Sequence, residues 1–170
     1  STQKQYLQDY AGFPAYDQTD VQYYSPGEAF WEPFLLELRK AQSYIFMEYF
    51  ILDSGLLWDS ILEILIEKAS KGVEVRIIYD DIGCFLTLPS NFAKQLEQHG
   101  IKCVAFNPFR PFLSTTQNNR DHRKISSIDG KVAFTGGLNL ADEYVNQYEK
   151  HGYWKDSAVK VDGKAAWSLT

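Results

Sequence analysis

The sequence predicts a single α/β domain. Segments of strand and helix periodicity alternate from Tyr44 to Phe106, an Asp129-Gly130 hairpin signal follows, and the composition is globular. With 45% hydrophobic and 23% charged residues, the chain is neither disordered nor collagen-like. Its 170 residues are enough to bury roughly 68–70% of the unfolded surface, so no disulfide or metal is needed to hold it together.

Ser25-Pro26-Gly27-Glu28 reads as a helix start, with Ser as cap, Pro in the first helical position and Glu completing a capping box. Phe30, Phe34, Leu38 and Ala41 then share one face, and Pro33 must kink this helix or sit in its first turn. Tyr44–Leu52, rich in β-branched and aromatic residues, reads as a strand. Leu57–Ser70 reads as a helix, its stripe of Leu57, Ile61, Leu62, Leu65, Ile66 and Ala69 opposed by Asp59, Glu63 and Glu67. Val73–Tyr79 is a strand, Asn91–His99 a helix closed by Gly100, and Ile101–Phe106 a third strand. Alternation of this kind places parallel strands side by side with crossover helices between them. After Pro108 the pattern changes to strands His122–Ile128 and Lys131–Phe134 around Asp129-Gly130. A helix over Leu140–Lys150 and a strand over Asp156–Val161 follow, and Lys164–Trp167 begins a further element. Residues 1–20 read as an N-terminal extension and 21–170 as the domain, without repeat or linker.

Lys plus Arg number 17 against 22 Asp plus Glu, a net charge of −5, which argues against a protein that grips nucleic acid through its phosphates. The longest apolar stretch, Tyr44–Leu52, is interrupted by Glu48, so the chain as given does not span a membrane, and Ser1–Asp20 lacks the features of a signal peptide. Cys84 and Cys103 stand apart, without the pairing of a disulfide scaffold or the ligand count of a zinc site, and read as core thiols of a reducing compartment.

The chemistry concentrates in Asn119–Gly130 and in Thr135-Gly136-Gly137-Leu138-Asn139. Residues two apart on a strand face the same side, so His122 and Lys124 point together. An imidazole there can attack phosphorus while the ammonium holds the phosphoryl oxygens. Gly136 and Gly137 permit close approach of backbone to a ligand, and the Asn139 amide can donate to a phosphate oxygen. The plainer alternative is a surface hairpin with a polar edge. Asp129, five residues beyond Lys124, and the later Gly-Gly-x-Asn shift the balance toward catalysis.

Asp129 also opens the Asp-Gly turn, so part of its role is expected to be architectural, through bonds to nearby backbone. An imidazole nucleophile needs a carboxylate on its other nitrogen to fix its tautomer, and Asp156 is the first candidate, Glu149 the second. His99 and His151 each precede a glycine and read as helix-end residues. The loop Phe106–Leu113 carries two prolines, three aromatic residues and Arg110. It suits a lipid interface, with rings against acyl chains and Arg110 on headgroups, unless it simply folds back onto the core.

His122-x-Lys124-x4-Asp129 with Gly136-Gly137-x-Asn139 resembles the signature of the phospholipase D superfamily. Tyr24–Glu28, Phe46–Phe50, Lys71–Arg76, Tyr79–Gly83, Asn139–Tyr144 and Gly152–Asp156 resemble bacterial cardiolipin synthases, over most of the chain from Val21 on. Ser126-Ser127 departs from the apolar residues usual there.

The resemblance implies a mixed β-sheet flanked by helices on both faces, an α-β-α sandwich. It implies a two-step transfer of a phosphatidyl group between phosphatidylglycerol molecules through a phosphohistidine, with no metal or cofactor. Two motifs are required, and only one is present. The chain is therefore expected to be the first half of a longer enzyme, completed by a second motif in the same parent chain or by a second copy in trans. The start at Ser1 and the stop at Thr170 agree with that reading, and the resemblance places the parent at a membrane surface through helices upstream. The competing expectations are a homodimeric, metal-independent phosphodiesterase acting on nucleic acid, which the acidic balance disfavours, and a non-catalytic binding domain.

Overall fold

The computed structural model describes residues 18–106, 122–150 and 152–170. Seven strands form one sheet: β1 (Thr19–Tyr24), β2 (Tyr44–Tyr49), β3 (Glu74–Asp80), β4 (Lys102–Phe106), β5 (Ile125–Ile128), β6 (Val132–Gly136) and β7 (Ala158–Gly163). Their order across the sheet is β1-β7-β6-β5-β2-β3-β4. β2, β3 and β4 run parallel, and every other neighbouring pair is antiparallel. The direction therefore changes where β5 inserts beside β2. The helices are α1 (Glu28–Lys40), α2 (Leu56–Ser70), the single turn α3 (Asp81–Cys84) and α4 (Phe92–Gln98), with 3-10 turns at Asp142–Val145 and Lys164–Leu169.

Strand periodicity decides the core. In β2, buried Ile45, Met47 and Tyr49 alternate with half-buried Tyr44, Phe46 and Glu48. In β3, buried Val75, Ile77 and Tyr79 alternate with exposed Arg76 and Ile78. The buried set meets the helices. Phe30 and Phe34 of α1 pack edge-on to Phe134 of β6 at 5.6 and 5.1 Å, and Phe92 of α4 meets Tyr79 at 5.5 Å. The α-helices occupy this face. The terminal 3-10 turn lies against β5, β6 and β7 on the other. An open groove of about 250 Å³ remains there, lined by Phe46, Ile78, Ile125 and Leu169 among others. Both cysteines are free and buried, and burial raises their thiols to about 11 for Cys84 and about 12 for Cys103.

Four local expectations change. β1 begins at Thr19, within the expected N-terminal extension, and pairs with β7. Gly27, not Ser25, stands at the N-cap of α1, after a cis Ser25-Pro26 bond, and Pro33 lies inside the helix. β5 starts only at Ile125, so His122–Lys124 precede the strand without regular structure. The helix expected over Leu140–Lys150 is a 3-10 turn confined to Asp142–Val145, because Asn146 turns left-handed at φ 54° and both ends of its amide bind the Trp154 backbone. His99 caps α4 ahead of Gly100 at φ 77°, as read from sequence, whereas His151 lies outside the described residues.

Candidate active site

The site is assembled by register. Glu48 of β2 faces Ile125 of β5, Ile125 faces Thr135 of β6, and Thr135 faces Val159 of β7. One to three residues farther along each strand lie Phe50, Lys124 and His122, Gly136 and Gly137, and Asp156. Residues separate in sequence thus meet at one edge of the sheet, the carboxyl end of parallel β2 and β3, where ligands of open α/β sheets bind.

His122 is exposed and its ring lies against Phe50, centroids 4.3 Å apart with the planes tilted by 31°. The Lys124 ammonium lies 5.8 Å from the centre of the same ring and donates to the His122 carbonyl oxygen at 2.8 Å. Both side chains therefore converge on one ring. Arg123 between them goes elsewhere, reaching Glu48 at 3.1 Å. Lys124 and Gly136 also line a common small cavity with Tyr49 and Leu138.

Gly136 and Gly137 are exposed, and their missing side chains serve the protein first. A Cβ on Gly136 would collide with the Ser157 carbonyl, and one on Gly137 with the Asp156 carboxylate. Asp156 is half-buried and accepts from the Ser157 N–H at 2.8 Å and the Trp154 indole N–H at 3.3 Å. These bonds and the glycine wall fix the carboxylate. His122 and Asp156 are not hydrogen-bonded to each other among the described residues, and Glu149 is exposed.

Asn139 is 4% exposed, and its Oδ1 accepts from the Ile51 N–H at 2.9 Å. Burial pushes the Tyr144 phenol up in pKa, with the Asn139 side chain acting the other way. Leu140 continues the attachment, bridging Leu52. The Asn thus ties the chain after β2 to the glycine loop, a role its place in the motif does not announce.

Asp129 sits at the opposite end of β5 from His122. At φ 53° it turns back and accepts the N–H groups of Gln42, Ser43 and Tyr44 at 2.9, 2.8 and 2.9 Å. Partial burial works to raise its carboxyl, but the three amides outweigh burial and hold it below the usual range. Arg110, Phe109 and Phe112 lie outside the described residues. Sequence reading missed Phe50 and Gly83. A Cβ on Gly83 would stand 3.1–3.2 Å from the Phe50 ring and strike its carbonyl. No helix of the described residues is long and apolar enough to cross a membrane.

A family model described as "Cardiolipin synthase, PLD-like domain" matches residues 34–160. An uncharacterized protein of Streptococcus mutans is 51% identical over 166 residues, covering 98% of this chain and 36% of that protein. Cardiolipin synthase 1 of Bacillus cereus is 37% identical over 164 residues, covering 96% of this chain and 32% of that protein. The chain thus spans about a third of the length of these relatives. Among solved structures, NucT from Helicobacter pylori aligns with a TM-score of 0.67 at 14% identity, covering 89% of this chain and 90% of that one. Nuc from Salmonella typhimurium, a phospholipase D family member, aligns with a TM-score of 0.66 at 20% identity, covering 89% of each chain. At these identities the two structures testify to the fold.

Proposed function

The chain belongs to the cardiolipin synthase PLD-like domain family, and on that premise we propose that it is one catalytic half of a phosphatidyltransferase that moves a phosphatidyl group between phosphatidylglycerol molecules. The convergence of His122 and Lys124 on the Phe50 ring is the observation that carries this reading.

An imidazole nitrogen of His122 attacks phosphorus as the P–O bond to the departing glycerol breaks. The histidine of a second motif, elsewhere in the parent chain or in a second copy, gives the alkoxide its proton. That base then takes the proton from the hydroxyl of the second phosphatidylglycerol, whose oxygen displaces His122 from phosphorus. Lys124 offsets the charge on the phosphoryl oxygens, work that in other enzymes falls to a metal ion. Asp156, held by Ser157 and Trp154, orients the imidazole when lipid binds. Asn139 and the glycine pair shape the loop that faces the phosphate, and Arg110 meets the headgroup. The parent works at a membrane surface, where its substrate resides.

The test uses the full-length parent with phosphatidylglycerol vesicles carrying a labelled phosphate. Wild type yields an acid-labile labelled protein and cardiolipin, and His122→Asn abolishes both. Asp156→Asn lowers turnover at least tenfold with the protein folded. Cardiolipin formation by His122→Asn at the wild-type rate would overturn the assignment. The same protein incubated with single-stranded DNA in chelator is expected to leave it intact, in keeping with the net charge of −5.

A further inference from the structure

We propose that Phe50 is a positioning residue for the His122–Lys124 pair: a ring fixed at the carboxyl end of β2 that sets where both reactive groups stand. This rests on the proposed role of the pair as a phosphorus-attacking site. The two residues precede β5, which begins at Ile125. Their spacing in sequence brings them near one another. It does not hold an exposed imidazole in one rotamer. Phe50 supplies that restraint. The imidazole lies against it, centroids 4.3 Å apart and planes tilted by 31°, and the ammonium stands within cation–π distance of the same ring at 5.8 Å.

The platform is itself pinned from two directions. Gly83 in α3 approaches so closely that any side chain there would press on the ring and strike the Phe50 carbonyl. Asp80 holds that turn, its Oδ1 accepting the Gly83 N–H at 2.7 Å. On the other flank, Asn139 takes the N–H of Ile51, the next residue. Phe50 is therefore the point at which the end of β2, the turn after β3 and the loop after β6 jointly act on the nucleophile. A ring also accepts the imidazole as either a neutral or a charged group. It can orient His122 without competing for the nitrogens that must take and release phosphorus.

Two measurements on wild type, Phe50→Tyr and Phe50→Leu test this. Proton NMR of the His122 imidazole in this chain reads the stack directly. The ring carbon-bound protons are shifted upfield in wild type and Phe50→Tyr, and return toward free-histidine positions in Phe50→Leu, while the amide signals of β5 and β6 stay in place. In the full-length parent, Phe50→Leu lowers kcat by up to about 100-fold with KM for phosphatidylglycerol little changed, the signature of a misplaced reacting group, and Phe50→Tyr restores it. Imidazole signals unmoved by Phe50→Leu, or a wild-type kcat in that variant, would overturn the platform. Should wild type transfer no phosphatidyl group, the functional reading fails by itself, and the NMR result still decides whether Phe50 fixes the histidine.

Discussion

Ser126 Oγ lies 2.9 Å from the Tyr49 hydroxyl, and both are sealed from solvent. Buried among apolar residues, the two hydroxyls are accommodated because they bond to each other. Burial also pushes the Tyr49 phenol well above its ordinary pKa, so the ring stays neutral. Ser126→Ala leaves a buried hydroxyl unpaired and is expected to cost about 1–3 kcal/mol in urea unfolding. Tyr49→Phe combined with Ser126→Ala should recover most of that loss, and a simple sum of the two single effects would show that the bond is unimportant. The same scale marks what could be read in advance. His122 and Lys124 were legible because extended backbone of any kind puts residues two apart on one side. Asp129 was legible as a turn residue, whereas its three amide donors come from residues 42–44, which no local rule connects to it. Phe50 escaped notice for the same reason, since an aromatic at a strand end is ordinary until the fold brings His122 onto it.

Between elements, β7 is fastened to α1 by Lys160, whose ammonium lies 2.9 Å from Glu37 and 2.9 Å from Asp162. Side-chain exposure at Lys160 and Glu37 is only 11% and 9%, so this pair sits in a medium where losing one partner is costly. Lys160→Met is expected to destabilise the domain by about 3 kcal/mol at neutral pH, measured by denaturant unfolding. Burial works to raise the Glu37 carboxyl, and Lys160 with Lys40 outweighs it to bring the net shift down. A depressed carboxyl stabilises the fold above its unfolded pKa of about 4.3 and ceases to do so as pH falls through its folded value. The gap between wild type and Lys160→Met should therefore narrow below about pH 4. A gap of constant size would mean that lost packing, not charge, is responsible.

Elements with a clear period were readable, among them α2, β3 and β4. β1 was not, because an edge strand exposed along most of its length buries neither of its faces and is set by pairing with the distant β7. The long helix expected after Asn139 failed for a tertiary reason. Asn146 turns left-handed and both ends of its amide bind the Trp154 backbone, which stops the turn, while the Asp142 carboxylate caps α2, accepting the N–H groups of Leu56 and Leu57 at 2.9 and 2.8 Å.

Across the whole molecule the sheet joins two kinds of neighbourhood. β2, β3 and β4 pair with strands that follow closely in the chain, whereas β5 reaches back to β2, and β1 waits for β7. Closing long loops is slow relative to pairing nearby segments. In pulse-labelled hydrogen exchange during refolding, amides of Val75–Tyr79 should gain protection before those of Ile125–Ile128 and Thr19–Tyr24. Simultaneous protection would indicate a single all-or-none step. The insertion of β5 at the centre of the sheet then bears on biosynthesis. A nascent chain halted after Phe106 already holds the parallel strands and the Phe50 ring, whereas His122, Lys124 and the Asn139 that secures the end of β2 are all added afterwards.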